Sequence, residues 1–349
     1  MTLVWMGVNF IYTVKQTECP QPFIHNKRFF NNSFEKFHPV LWPSLKMLVA
    51  SIITGNYFKK LENFNKKPDL AAHNQVRSNL SQKSVVTWIG HSTFLISVPG
   101  FTIITDPVLW DITFFLTRAA PAGIIPQELP PIDIILLSHN HRDHMDEASL
   151  RFIYKRFPAV TLIVPRGDKA WFTARNIPNV VECDWGDSLS FMSSAPVSIQ
   201  FLPAHHWSQR GLFDRNRSLW GSWMITSPDS TIFFAGDSAY ASHFSYIGNI
   251  YASIDCAIMP IGPCEPHRIM KTAHLAGEQC LQAFLDTQAR MFIPMHWGTF
   301  PFGTDYPLLP AERLMQAWDI MQKENPEKLE GKIVRVPFLG ETFGINKNS

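Results

Sequence analysis

From Ser84 onward the chain is a succession of short apolar runs broken by small or polar residues. Val85–Ile89, Thr93–Val98 and Phe101–Thr105 read as strands, with Pro99-Gly100 marking a turn between two of them. Ile132–Ser138 is almost continuously apolar, as in a strand buried on both faces. Strand-like runs recur at Val160–Val164, Val180–Cys183, Ser188–Met192, Val197–Leu202, Leu219–Thr226, Thr231–Ala235, Asp255–Pro260, Arg290–Pro294 and Lys332–Val336. Helices fit between them near 146–156, where Asp146 can cap, and near 168–175, 242–250, 276–286 and 310–323. Strands in two groups with helices interspersed predict an α/β protein over residues 84–349. Two mixed sheets pack face to face with helices outside, an αββα four-layer sandwich.

Residues 1–83 have a different texture, irregular and rich in Asn, Phe and Lys, and read as a partly helical N-terminal extension. Leu41–Gly55 suits a helix with Pro43 in its first turn and Gly55 at its end. Such a helix either covers the domain or lies on a membrane surface with Trp42 at the interface. Met1–Val14 is apolar but lacks a basic leading region, so it reads as an arm. No apolar run reaches the roughly 18 residues of a membrane-spanning helix.

Composition narrows the partners. Hydrophobic residues make up 46% of the 349, enough for a sizeable core, and charged residues only 17%. A formal net charge of +2, with no basic block, speaks against a nucleic-acid partner. The five cysteines are odd in number and form no C-x-x-C pair, which fits free thiols in a reduced, cytoplasmic setting. Peripheral contact with a membrane stays open, as does the oligomeric state.

The chemistry starts where the 132–138 strand ends, in His139-Asn140-His141-Arg142-Asp143-His144. Four side chains able to bind a metal stand within six residues. His139 and His141 can hold one ion, and Asp143 and His144 a second. Two ions roughly 3.5–4 Å apart make a hydrolytic site, because a hydroxide shared between them is deprotonated and aimed. Three more apolar strands end in the same kind of residue: one at His205-His206, one at Gly236-Asp237 and one at His296. Strand ends at one sheet edge converge, and a carboxylate such as Asp237 can bridge two ions.

The runs His139–His144, Pro203-Ala204-His205-His206-Trp207, Phe234-Ala235-Gly236-Asp237-Ser238 and Pro294–Phe300 together resemble the metallo-β-lactamase superfamily. Trp88–Thr93, Asp106-Pro107-Val108 and Leu219–Trp223 are most similar to its N-acylphosphatidylethanolamine-hydrolysing phospholipase D group, over roughly residues 84–340. The resemblance implies two divalent ions, zinc first among the candidates. One would be held by His139, His141 and His206, the other by Asp143, His144 and His296, with Asp237 bridging. His206 is preferred to His205 because the group's ligand directly precedes Trp. Asp106 would support the His loop from behind, and His274 would face the reacting group as a catalytic residue beside Asp143.

The favoured function is a phospholipase D-type phosphodiesterase acting on N-acylphosphatidylethanolamine-like phospholipids. Trp110, Phe114, Phe115 and Leu116 could carry acyl chains, and Arg210, Arg215 and Arg217 could pair with phosphate. Two other readings remain: a metallohydrolase of a small soluble substrate such as a lactone, and a non-catalytic membrane-associated metal-binding protein.

Overall fold

A computed structural model describes residues 3–6, 11–31, 49–78, 83–192 and 195–345. The described chain begins with strands β1 (Leu3–Met6), β2 (Ile11–Gln16), β3 (Phe23–His25) and β4 (Arg28–Phe30), followed later by helix α1 (Leu70–Arg77). Then come β5 (Ser84–Gly90), β6 (Thr93–Val98), β7 (Phe101–Thr105) and β8 (Ile134–Leu136). Helix α2 (Glu147–Arg156), β9 (Thr161–Pro165), α3 (Lys169–Thr173) and β10 (Val180–Cys183) complete the first half. The second half runs β11 (Asp187–Met192), β12 (Pro196–Leu202), β13 (Ser222–Thr226), β14 (Thr231–Phe234), α4 (His243–Ile250) and β15 (Cys256–Pro260). It ends with α5 (His267–Met270), α6 (Glu278–Asp286), β16 (Met291–Met295), α7 (Leu309–Glu324), β17 (Ile333–Val334) and β18 (Thr342–Ile345).

Two large sheets form the sandwich. One has nine strands in the order β1-β2-β11-β12-β13-β14-β15-β16-β17, the other seven in the order β10-β9-β8-β7-β6-β5-β18. Alternation along the strands explains the layering. Phe94 and Ile96 of β6, Ile103 of β7, and Ile134 and Leu136 of β8 belong to the principal core, which also holds the large sheet's Phe201, Trp223 and Phe233. Their neighbours Leu95, Ile104 and Ile135 point the other way, into a second core with Leu150 and Ile153 of α2 and Phe172 of α3. A strand apolar on both faces needs cover on both, and the helices supply it.

Asp146 accepts the N–H of Ser149 and caps α2, as its position in the sequence suggests. The run expected at Leu219–Thr226 forms a strand only from Ser222. Before it, Leu219 N–H donates to Arg166 O and Gly221 N–H to Ser138 O, so these residues tie loops together. Residues 1–83 read from sequence as a partly helical extension, and the described part of that stretch also contains strands. β2 pairs antiparallel with β11, so two strands of that stretch extend the nine-stranded sheet. Most of the expected 41–55 helix lies outside the described residues, but 49–53 are helical and Gly55 ends the turn in the left-handed region at φ 72°. Among the described residues no helix is long and apolar enough to cross a membrane.

Candidate metal centre

Strand direction gathers the candidate residues. β7 and β8 are parallel, as are β14, β15 and β16. β5 and β12 each reach their parallel group through two antiparallel steps, so all these strands point their carboxyl ends at one edge. Asp106 follows β7, the His139–His144 loop follows β8, His206 follows β12, Asp237 follows β14 and His296 follows β16. Gly236 makes one close approach feasible. Its φ is +60°, and a Cβ there would sit 2.6 Å from Ser138 Cβ.

His139, His141 and His206 converge. His141 Nδ1 lies 2.8 Å from His139 Nε2 and 3.3 Å from His206 Nε2. Two bonds of about 2.1 Å at the tetrahedral angle would separate donor atoms by roughly 3.4 Å, so this spacing suits ligands of one ion. Beside them, Asp143 Oδ2 lies 3.4 Å from His144 Nε2 and 3.5 Å from His296 Nε2. Asp237 Oδ2 sits between the two groups: 3.0 Å from His296 Nε2, 3.3 Å from His144 Nε2, 3.7 Å from His206 Nε2 and 4.0 Å from His139 Nε2. His274 Nδ1 is 3.7 Å from the same oxygen, so His274 faces the centre. His205 does not join these groups; its N–H donates to Ser238 Oγ, and it lines a separate cavity with His243.

Partners on the far side of each ring set its tautomer. His206 Nδ1 donates to Ala273 O at 2.9 Å, and His296 Nδ1 to Gly262 O at 3.0 Å. His144 Nδ1 donates to Asp106 Oδ2 at 2.7 Å. Ser138 Oγ donates to the same Asp106 oxygen at 2.6 Å, which leaves it to accept from His139 Nδ1 at 2.9 Å. In all four rings the Nδ1–H is thereby held on the far side and Nε2 is the nitrogen that faces the centre, the usual arrangement behind a metal-binding imidazole. His144 Nε2, His296 Nε2 and Asp237 Oδ1 are buried and make no hydrogen bond. Buried polar atoms are rarely left so, and a divalent cation would satisfy all three at once. The residues therefore fit a metal.

The electrostatics agree. Burial drives His139 and His206 well below the usual imidazole range, and His141 and His274 to about 4, so these rings are neutral. Burial also works against charge on Asp143 and Asp237, but the surrounding histidines, His144 foremost, overcome it and hold both carboxylates well below their ordinary values. In return those carboxylates, Asp237 first, override burial to raise His144 well above its usual range and His296 to about 9. A cation binding here displaces those two protons.

Several supporting residues have no motif to announce them. Asn31, from the segment before Ser84, accepts the N–H of His206 and donates to its carbonyl, at 3.3 and 3.2 Å, and accepts from Trp220 Nε1. Within the His loop, Asn140 Nδ2 donates to the buried Asp168 at 3.0 Å. Burial raises the Asp168 carboxyl from 3.8 to about 7, against the lowering effect of Ser218 and Asn140. With the folded value above the unfolded one, this group's stability is full below pH 3.8 and is lost as pH rises to about 7. Asp168→Asn keeps an acceptor for Asn140 and removes the titration. Its thermal midpoint at pH 7.5 should rise by about 2 °C or more, with a flatter fall between pH 4.5 and 7.5; an unchanged pH slope would contradict the assignment.

The three arginines considered for phosphate differ in their surroundings. Arg210 donates to Met145 O and stacks over Trp171, with its guanidinium 4.6 Å from the ring centre. Arg215 lies 4.7 Å over Trp207, whose ring contacts His141. Arg217 N–H donates to Asp214 O, which closes a turn of the same loop.

Residues 102–297 match the beta-lactamase superfamily domain, and the chain belongs to that superfamily, the metal-dependent hydrolases of the metallo-β-lactamase fold. Over 294 residues it is 33% identical to the N-acyl-phosphatidylethanolamine-hydrolyzing phospholipase D 1 of Caenorhabditis elegans, an overlap of 79% of this chain and 83% of that one. It is 35% identical over 238 residues to the mitochondrial N-acyl-phosphatidylethanolamine-hydrolyzing phospholipase D of Saccharomyces cerevisiae, covering 65% of this chain and 50% of the yeast protein. Among solved structures, the metallo hydrolase Igni18 of Ignicoccus hospitalis shares the fold, with a TM-score of 0.57 at 21% identity over 76% of this chain and 99% of that one.

Proposed function

We propose that the chain is a dinuclear, zinc-dependent phosphodiesterase that cleaves N-acylphosphatidylethanolamine-like phospholipids in the manner of a phospholipase D. The observation that carries the dinuclear centre is Asp237 Oδ2, within 4.0 Å of ring nitrogens from both groups of histidines. His139, His141 and His206 would hold one ion, Asp143, His144 and His296 the other, and Asp237 would bridge. Ions bound there would lower the pKa of water toward about 7 and neutralise charge on a phosphodiester.

The protein's own groups do the rest. Asp143 keeps 17% of its side chain exposed at the mouth of the site, where it can accept a hydrogen bond from the attacking water and orient it. His274, neutral and also 17% exposed, is placed to donate a hydrogen bond to the departing oxygen as charge develops there. The substrate class is supported by the two phospholipase D relatives and by the surface. Seven large apolar side chains are more than 60% exposed among the described residues, and six of them (Ile53, Phe58, Phe114, Phe115, Leu212, Phe213) fall on three short segments. Phe114 and Phe115 are in the loop after Asp106, and Leu212 and Phe213 in the loop after His206. The third segment places Asn56 and Lys59 in the wall of a cavity that reaches His91 and His296. An acyl chain leaving a bilayer or micelle would meet apolar surface first.

The test is product analysis by mass spectrometry, with zinc-loaded protein and N-acylphosphatidylethanolamine in mixed micelles. N-acylethanolamine and phosphatidic acid should appear, and Asp143→Asn should reduce them to background while its thermal melt stays cooperative. Absence of product from protein holding two ions would defeat the phospholipid assignment and favour a small soluble substrate. Full turnover by Asp143→Asn would remove that residue from the mechanism.

A further inference from the structure

Behind the seven candidate ligands stands a residue outside the matched domain, in the turn after β5. His91 has φ 54°, a left-handed conformation that L-residues adopt at a cost. Three backbone hydrogen bonds hold it there. Its N–H donates to Thr299 Oγ1 at 2.6 Å, and its carbonyl accepts Trp88 Nε1–H at 3.0 Å and the N–H of His296 at 3.1 Å. The side chain is 1% exposed, its ring 4.0 Å from that of His296 and 5.3 Å from that of Phe300. Its Nε2 lies 3.0 Å from Asp143 Oδ2, the oxygen that faces His144 and His296.

We propose that His91 is a positioning residue of the centre: it fixes Asp143 through an Nε2–H donated to Oδ2, and fixes His296 through its backbone carbonyl. This rests on the assignment of Asp143 and His296 as ligands. The geometry favours a donor over an added ligand. Asp143, His144, His296 and Asp237 would already give one ion four protein groups, and its next position would belong to the water of the proposed reaction, not to His91. A carboxylate in such a set is characteristically oriented by a donor behind it, and His91 is placed to be that donor. The bond also decides which way Asp143, partly open to solvent, turns its second oxygen.

Two substitutions separate the hydrogen bond from the packing of the ring. His91→Asn tolerates the left-handed backbone but is too short to reach Asp143. His91→Gln extends an amide N–H to about the position of Nε2. Full-length proteins, stripped with a chelator, are titrated with Co2+; its absorption bands report each equivalent, and a competing chromophoric chelator reports affinity. His91→Asn should weaken one equivalent by roughly 10–100-fold and shift its bands, while His91→Gln stays within about threefold of the parent. Should His91→Asn melt below the titration temperature, His91→Gln alone decides, and must bind both equivalents as the parent does. Parent-like binding by His91→Asn would overturn the proposal, as would equal losses in both variants, which would make the ring's packing the operative feature. A parent chain that takes up no Co2+ would instead overturn the metal assignment, and this proposal with it.

Discussion

Asp237→Asn is expected to weaken both halves of the proposed centre and to cut turnover by roughly a thousandfold or more, the equivalent of several kcal/mol of metal-derived stabilisation. Among the described residues, one carboxylate oxygen lies within 4.0 Å of His139, His206, His144 and His296 together, and it belongs to Asp237. An amide has the same shape but no charge to share between two cations, and its NH2 edge repels them. Metal content after dialysis, measured by plasma mass spectrometry, should fall from two ions per chain to one or fewer. Two ions retained would show that Asp237 does not bridge. The chelated protein provides an independent readout. Asp237 is the foremost attraction that lifts His296 to about 9 against burial, so His296 contributes stability below pH 6.5 that is lost as pH rises to about 9. In the variant the melting temperature should lose most of that decline.

Asp106→Ala is expected to cost about 3–5 kcal/mol of folding stability, as befits a buried pair stripped of one partner. The Asp106 carboxylate is wholly buried and accepts from Ser138 N–H at 2.7 Å, Ser138 Oγ at 2.6 Å and His144 Nδ1 at 2.7 Å. It thus ties the end of β7 to the start of the His loop and sets the tautomers of His139 and His144 together. Removal strands a buried imidazole and frees a hydroxyl that had orientated another. Urea unfolding of the metal-free variant checks the stability term. Affinity for the ion beside His144 should drop roughly 10–100-fold as well. A stability loss below about 1 kcal/mol would mean that water replaces the carboxylate without strain.

The convergence of the seven residues at the sheet edge was legible because four apolar strands each lead into a short loop that carries His or Asp. His91 obeys the same rule, coming directly after β5, but a lone His with no second ligand nearby in sequence carries little weight. Asn31 was beyond reach in principle: its partner His206 is 175 residues away, and no local periodicity encodes such a bond. Layering was readable from two-sided apolar strands. The start of β13 was not, because Leu219–Gly221 have strand-like side chains while their N–H groups serve Arg166 and Ser138. β1 and β2 went unread for a related reason: a sheet-edge strand in a segment rich in Asn, Phe and Lys shows itself only once β11 is there to pair with it.

The ends of the described chain are exchanged between the sheets. β2, near the beginning, pairs with β11 of the second half, whereas β18, at the end, pairs with β5 of the first. A ribosome releasing this chain therefore cannot finish either sheet in order. The first sheet waits for the last strand to be synthesised, and the earliest strands wait for a partner some 170 residues downstream. The candidate ligands divide the same way, His139 to His144 in the first half and His206, Asp237 and His296 in the second. A nascent chain would present only half of the proposed centre, so its full set of donors comes together only once the second half has been made and folded against the first.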